Sequence, residues 1–217
     1  MFIRAFVVAC YIGRGWPAMA QIPVEVFGGH ERTTVDILFF KFFKKSQGDP
    51  SRWLFFNRNR ASIDYRMTED AFLPQFGFTE AISYNHEQLR GFAPVLVGQV
   101  LNRGLFSKTG VQYAHSGKQF TVFTWVVYEF YQQPTLDYFL LCRYTPRLSD
   151  RARLFLQLES VNAFSLEGNR PDSFVQRLRA GVQFNTYQLG AGVDLNQTTN
   201  RAITPTSNVG IFVRHEF

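Results

Sequence analysis

The sequence is poor in cysteine, methionine and lysine, and it contains no long apolar run. Its two cysteines are Cys10 and Cys142, so a cleaved leader that carried Cys10 away would leave no partner for a disulfide. No stretch approaches the roughly 20 apolar residues that a membrane-spanning helix needs, and the mean hydropathy is −0.13. These absences exclude a disulfide-stabilised domain and a helical membrane protein.

Motifs of common catalytic, cofactor and nucleic-acid sites are also missing. There is no His/Cys spacing typical of a metal site, no glycine-rich phosphate loop and no serine in a nucleophile-elbow pattern. The formal net charge is +6, but no basic cluster with interleaved aromatic residues stands out beyond Arg58-Asn59-Arg60. The sequence therefore predicts no metal, no cofactor and no nucleic-acid partner.

Residues 1–20 have the organisation of a secretory signal peptide. Arg4 precedes a short apolar centre, and Ala18-Met19-Ala20 matches a small-x-small cleavage site. Cleavage after Ala20 would leave residues 21–217 as the mature chain and would lower the formal charge from +6 to +4. A buried first strand is the alternative, but Arg14 interrupts the apolar run.

The end of the sequence alternates with the two-residue period of a β-strand. The apolar face of this strand consists of Val209, Ile211, Val213 and Phe217, with His215 as its one polar member. This pattern resembles the C-terminal sorting strand of bacterial outer-membrane β-barrels, which closes the barrel and is recognised by the insertion machinery. The resemblance implies a location in the bacterial outer membrane. It implies outer-membrane lipid, lipopolysaccharide, periplasmic chaperones and the barrel assembly machinery as partners.

Alternating runs of similar length recur along the mature chain, and turn residues separate them. Single-chain bacterial barrels have even strand numbers, so we prefer twelve strands, with ten as the alternative if two runs lie outside the wall. Segment 149–161 is the one helical competitor, and the alternation of Leu154, Leu156 and Leu158 favours a strand. The predicted runs are 22–28, 33–43, 53–65, 75–85, 92–102, 109–115, 120–131, 136–144, 153–162, 174–185, 187–196 and 208–217.

Most of these runs divide into an apolar face and a polar face. The apolar face is flanked by aromatic residues such as Trp53, Tyr144 and Phe184, as in the lipid-facing band of a transmembrane barrel. A soluble lipocalin-like barrel or a sandwich would have the reverse polarity, with its polar face in water. The polar face here has few lysines and is rich in Arg, Gln and Asn, which favours a lumen. The sequence therefore predicts an all-β fold, a transmembrane antiparallel up-and-down β-barrel over residues 21–217.

The polar face would line the interior of the barrel, where its charges nearly balance. One interpretation is a narrow channel for small polar solutes, in which paired arginines attract anionic or planar solutes. The other, equally supported, is a closed structural barrel in which arginines and carboxylates pair across strands. Glu216 belongs to this face, and Glu80 joins it if strand 75–85 faces inward. The candidate lumen residues are Arg58, Arg60, Asp64, Glu129, Asp137, Arg143, Arg153, Glu159, Arg177, Arg179, Asp194 and Arg214.

The start of the mature chain resembles nucleoside-specific channel-like barrels. A strand from Arg32 to Phe40 is followed by a Gly48-Asp49 loop, and Trp53-Leu54-Phe55-Phe56 then leads into a polar continuation. Proteins of that family are twelve-stranded and carry nucleosides across the outer membrane, so the resemblance implies nucleosides among the solutes. The match is confined to the first strands, and it transfers no binding residue.

The alternative from another functional class is an outer-membrane lipid hydrolase or acyltransferase. Such enzymes combine a serine, a histidine and an acid or amide at the lipid-facing surface. The only close His/Ser pair of the mature chain is His115-Ser116, which lies at a predicted turn. Because histidines in turns are more often solvated than catalytic, the sequence favours a channel over an enzyme.

Overall fold

The computed structural model describes residues 22–45, 48–65, 75–102, 104–129, 134–167, 171–200 and 202–217. The predicted signal peptide and its cleavage site lie outside these residues. Twelve strands form one closed antiparallel barrel, in which each strand pairs with its sequence neighbours and the first pairs with the last. The strands are β1 (Pro23–Gly29), β2 (Arg32–Lys44), β3 (Pro50–Asp64), β4 (Gln75–Tyr84), β5 (Phe92–Leu101), β6 (Gly104–Ser116), β7 (Phe120–Glu129), β8 (Thr135–Tyr144), β9 (Ala152–Ser165), β10 (Asp172–Phe184), β11 (Tyr187–Asn200) and β12 (Ala202–Glu216).

The predicted fold class and the count of twelve strands are confirmed, and each predicted run falls within one observed strand or overlaps it. Segment 149–161 contributes to β9, so the helical alternative is wrong. The described residues contain one short helical turn, Glu87–Leu89, and no helix among them is long and apolar enough to cross a membrane. The largest error is in β12, which begins at Ala202 and not at Asn208. Its first residues lack alternation, and backbone pairing with β11 keeps them extended.

Closure of the barrel depends on a short first strand and one buried side chain. The register of β1 on β12 ends at Gly29 opposite Gly210. Beyond that point the Asn208 side chain continues the pairing: its Oδ1 accepts from the backbone N–H groups of Glu31 at 2.9 Å and Arg32 at 3.3 Å. Its Nδ2 donates to the Arg32 carbonyl at 3.1 Å. Asn208 is 0% exposed, so these bonds are shielded from competing water.

The barrel has two ends, which the positions of the chain segments distinguish. We call the end that holds Ile22 and Phe217 the near end, because their backbones are hydrogen-bonded to each other there. The opposite end, where Arg32 pairs with Asp64, is the far end. The long β11–β12 hairpin extends the wall beyond β1 at the far end.

The outward faces are those that the alternation predicts. Trp53, Val126, Leu178 and Ile211 are exposed on the outer wall, whereas their sequence neighbours Leu54, Trp125, Arg179 and Phe212 are buried inside. The sequence left open which face of β4 points inward. Thr79, Ala81 and Ser83 are its buried residues, so their face points into the lumen. Glu80 is therefore exposed on the outer wall, so the condition for placing it in the lumen is not met.

Candidate functional site in the lumen

Arginines and carboxylates from seven strands form one connected network inside the barrel. At its centre, Arg58 donates through Nη1 to Glu159 Oε1 at 2.6 Å and through Nη2 to Asp36 Oδ2 at 2.8 Å. Glu159 also accepts from Arg177. Arg58 lies on β3 and Glu159 on β9, which are diametrically opposite in a closed barrel of twelve strands. The network therefore spans the lumen as well as lining its wall.

A second branch of the network joins the strands next to the barrel closure. Arg179 donates through Nε to Glu25 Oε1 at 2.9 Å and through Nη1 to Asp194 Oδ1 at 2.8 Å. Arg214 donates to the other oxygen of Glu25 at 2.6 Å. Asp194 also accepts from Arg60 at 2.9 Å, which links this branch to the centre. Each carboxylate thus holds two or more arginines, so removing one acid disturbs several strands.

The predicted lumen residues Asp137 and Glu129 belong to a separate cluster. Lys108 on β6 is paired with Asp137 on β8. Glu129 is 2% exposed and accepts from the Thr135 hydroxyl at 3.5 Å. Among the described residues, one oxygen of each carboxylate is buried without a hydrogen-bond partner. The arginine network also contains such atoms, Asp36 Oδ1 and Arg214 Nε among them.

The remaining predicted lumen residues lie towards the two rims. Asp64 is exposed at the far end of β3. Arg143, the last residue but one of β8 at the near end, donates to Gln157 Oε1 at 3.2 Å. Arg153 lies at the near rim, where it shares a cavity with Lys118, Gln119 and Arg147. The predicted set thus separates into a central network, the cluster around Lys108 and Asp137, and rim groups, which the alternation does not distinguish.

Aromatic side chains from opposite walls meet across the lumen on the near side of Arg58. The Phe56 ring on β3 stacks on Phe123 of β7 with centroids 4.9 Å apart, and it lies 5.6 Å from Phe139 of β8. Trp125 packs against Phe56 at 4.7 Å, and Phe40 packs against Phe123 at 4.9 Å. We call these five residues the aromatic septum. Phe123 is 0% exposed and Phe56 is 1% exposed, so the septum closes this side of the lumen.

The rest of the cross-section at this level is also filled. Phe155 and Phe212 pack at 5.7 Å on the side of the barrel closure. The Arg179 guanidinium lies 3.9 Å from the centroid of the Phe27 ring, and that of Arg214 lies 5.0 Å from the Phe155 ring. These cation–π contacts join the aromatic filling to the arginine network.

Within the described part of the barrel, a cavity lies on each side of this filling. The far cavity has a volume of about 520 Å³ and reaches from the rim at Arg32 down to Arg58, Arg60 and Arg177. The near cavity has a volume of about 300 Å³ and is lined by residues that include Thr121, Arg143 and Glu216. The two have no lining residue in common. Passage from one to the other requires displacement of the side chains between them.

Charged members of the lumen that escaped the sequence reasoning include Glu25, Asp36, Lys108 and the rim residue Arg32. Glu25 and Asp36 are single carboxylates within otherwise apolar runs, and that isolation is the signal that could have identified them. Lys108 lies just before the predicted run 109–115 and was excluded by a boundary error. The septum also escaped, although Leu54-Phe55-Phe56 and Val126-Val127 place apolar residues on both faces, a pattern typical of strands buried on both sides.

The suggested catalytic pair receives no supporting geometry. His115 and Ser116 are exposed at the near end of β6. Among the described residues, neither side chain is hydrogen-bonded to the other or to a carboxylate. Nowhere in the described ranges do three His, Cys, Asp or Glu side chains converge as metal ligands would.

Comparison with known proteins identifies the fold. The sequence matches no family model and no curated protein sequence. A KdgM porin superimposes with a TM-score of 0.50 and 9% identity over 91% of this chain and 99% of that chain. The KdgM porin in complex with disordered oligogalacturonate gives the same TM-score and coverage with 8% identity. A loop-deletion form of OmpT of Vibrio cholerae has 12% identity, covers 91% and 97%, and has a TM-score of 0.37. The chain therefore has the fold of a bacterial outer-membrane β-barrel.

Proposed function

We propose that this outer-membrane barrel is a narrow channel for small anionic polar solutes. In the conformation described, the aromatic septum and the arginine network close it. The solute enters or leaves through the far cavity, where the cationic groups face the free space. Nucleosides, which the sequence resemblance implies, are uncharged and are expected to bind less well than anions.

The observation that carries the proposal is the charge of the far cavity. Guanidinium groups match carboxylates and phosphates in geometry, and the hydroxyl and amide groups of the cavity wall suit the hydroxyls of a sugar-like solute. The volume of about 520 Å³ lies within the range of small-molecule sites. Five cationic side chains face two carboxylates in its lining: Arg32, Arg58, Arg60, Lys108 and Arg177 against Asp137 and Asp194. Asp36 and Glu159, which pair with Arg58 and Arg177, are not in this lining, and one positive charge remains in excess when they are counted.

The choice of acidic sugars as test solutes follows from this chemistry. A sugar carboxylate would bind a guanidinium, and its hydroxyls would bond to side chains such as Ser62, Thr79 and Gln99 in the same cavity. Oligogalacturonate, the ligand in the KdgM porin complex, is a chain of such carboxylated sugars. We therefore include monomeric and short oligomeric galacturonate, inorganic phosphate and uncharged nucleosides in the panel.

The test is conductance of the purified barrel in planar bilayers. We expect discrete openings, and a reversal potential in a KCl gradient that indicates anion selectivity. Galacturonate should block the current at lower concentration than a nucleoside of similar size. Cation selectivity, or equal block by charged and uncharged solutes, would contradict the anionic solute class.

A rim substitution separates solute attraction from folding. Arg32 lines the far cavity and is not a member of the central network, so Arg32→Gln should weaken anion selectivity while the barrel still assembles. Arg90→Gln is the matched control, because Arg90 is exposed in the near-end connection between β4 and β5. If both variants had the same anion selectivity as the parent, the far cavity would not be part of the solute path.

A closed structural barrel is the second candidate, and the septum is the observation that favours it. Phe123→Ala should open a cavity between the two ends and increase conductance. The same change should lower the free energy of unfolding by about 3–5 kcal/mol, the usual cost of truncating a buried Phe. Phe120→Ala is the control, because Phe120 lies on the same strand and is 47% exposed on the outer wall. A parent barrel that is silent while Phe123→Ala conducts would favour the closed barrel.

A further inference from the structure

The outer wall carries a concave apolar surface that the lumen function does not use. It is a groove of about 580 Å³ over strands β7–β11, lined by outward-facing side chains that include Phe120, Tyr144, Leu156, Ala180 and Ala191. Its depth comes from small residues, because Ala180 and Ala191 are register partners set among larger neighbours. We call it the wall groove.

The wall groove runs from the near rim into the membrane-spanning wall. Phe120 and Tyr144 are paired with each other, and they are the first residue of β7 and the last of β8 at the near end. The same cross-strand row continues through Leu156 to Ala180 and Ala191. Those alanines lie four residues from the near ends of their strands, which is about 13 Å along the strand. The groove is therefore open at the membrane surface and deep at its inner end, as a path for a hydrocarbon chain would be.

Cationic groups stand directly beyond the open end of the wall groove. The Thr145 N–H donates to the Gln119 carbonyl at 2.7 Å, one step past the Phe120–Tyr144 pair. Next along the chain are Lys118 and Arg147, both exposed. A cavity of about 560 Å³ is lined by Lys118, Gln119, Arg147 and Arg153, with no carboxylate in its lining.

The adjoining surface contains acidic groups as well, but cations remain in excess. A neighbouring cavity of about 440 Å³ is lined by Arg147, Arg151 and Arg153 together with Asp150 and Glu216. Glu216 already accepts a hydrogen bond from Gln188 Nε2 at 2.9 Å. An anion at Lys118 and Arg147 would therefore face cationic side chains first.

We propose that this part of the wall is a binding site for one anionic phospholipid of the near-end leaflet. An acyl chain occupies the wall groove, and the headgroup phosphate binds at Lys118 and Arg147. The argument rests on the adjacency of an apolar groove and a basic cavity, because Phe120 lines the groove and its neighbour Gln119 lines the cavity. It depends on the barrel fold alone and holds whether or not the lumen conducts.

The first test measures lipid bound to the intact barrel. The purified protein is exchanged into nanodiscs or mild detergent, and bound phosphatidylglycerol and phosphatidylcholine of equal chain length are quantified by mass spectrometry. We expect a roughly tenfold preference for phosphatidylglycerol, the scale produced when interfacial cations attract an anionic headgroup. Glycerol phosphate, which lacks acyl chains, should not bind detectably. Equal retention of the two lipids would overturn the proposal and leave only ordinary annular lipid.

Two variants separate the headgroup from the chain. Lys118→Gln with Arg147→Gln should abolish the preference while some lipid of either kind still binds. Ala180→Phe should fill the wall groove and reduce retention of both lipids. The controls are Lys44→Gln, an exposed near-end cation on β2, and Gly98→Phe, a small-to-large change on the outer wall of β5, where a side chain would meet open space. If the controls lost as much lipid retention or phosphatidylglycerol preference as the variants, the site would also be refuted.

Discussion

Removing the charge of Glu159 tests whether the arginine network holds the barrel together. Glu159 has a side chain that is 2% exposed and links Arg58 of β3 with Arg177 of β10. Glu159→Gln keeps the shape and leaves two buried guanidiniums without this acid. Breaking a buried pair by removing one partner costs about 3–5 kcal/mol. Arg58 keeps Asp36 at 2.8 Å and Arg177 keeps Asp194 at 3.8 Å, so we expect a loss near 3 kcal/mol.

The assay is guanidinium unfolding of the barrel in lipid vesicles, followed by tryptophan fluorescence. Trp125 lies in the lumen at 5% exposure and Trp53 on the outer wall at 46%, so the two report on both faces of the wall. Glu87→Gln is the control, because Glu87 forms a surface pair with Arg52 at 3.4 Å and its side chain is 86% exposed. Such a pair contributes about 0–1 kcal/mol. If Glu159→Gln cost no more than Glu87→Gln, the network would not be the structural element that we infer.

Three further predictions concern the wall and its closure. Val193→Arg, near the middle of β11, should lower the free energy of unfolding in vesicles by about 2–4 kcal/mol. Val182→Arg, two residues from the near end of β10, should lower it by only about 0–1 kcal/mol. Equal losses for the two variants would contradict this placement of the membrane. Deletion of Phe217, whose N–H donates to the Ile22 carbonyl at 3.2 Å, should reduce the heat-modifiable, assembled fraction on gels. Phe217→Leu should largely keep that fraction. Normal assembly after the deletion would show that Phe217 has no sorting role. Asn208→Ala leaves buried backbone groups unpaired and should lower the free energy of unfolding by about 1–3 kcal/mol. It should also increase hydrogen exchange at the backbone amides of Glu31 and Arg32. Unchanged exchange would show that water replaces the side chain.

The fold was accessible from the sequence because the membrane imposes a strict code on a barrel wall. A strand that separates lipid from a polar interior must alternate, and every backbone group must pair with a neighbouring strand. Leu156 and Leu158 on β9, with Gln157 between them, show this code plainly. The code fails where a strand leaves the lipid, so the start of β12 around Pro205 was not recognised. It also leaves the facing of β4 open, because Phe76, Phe78 and Ile82 share their face with Glu80.

The lumen was accessible only in part, because alternation indicates which face a residue occupies and not which residues meet. Arg58, Arg177 and Glu159 were placed on the inner face correctly, but their contact depends on the diameter and shear of the closed barrel. The septum depends on the same geometry. Phe123 is an apolar residue on a face that the alternation predicts to be polar, and it reaches Phe56 only because β3 and β7 come close across the lumen. Closure of the lumen is therefore a property of the assembled barrel, beyond what any single strand pattern encodes.

The arrangement separates the residues that hold this barrel together from the residues that would select a solute in the proposed channel. Glu25, Asp36, Glu159 and Asp194 are each shared between arginines inside the wall, so the acids are committed to structure. Arg32, by contrast, lines the far cavity outside that network, and in the proposed channel it is the cation that an entering solute would meet first. Arg32→Gln should therefore shift the reversal potential at unchanged unfolding free energy, whereas Glu159→Gln should change both. If Arg32→Gln also destabilised the barrel by several kcal/mol, attraction of the solute and cohesion of the wall would be a single property, and the selectivity of the proposed channel could not be changed without destabilising the barrel.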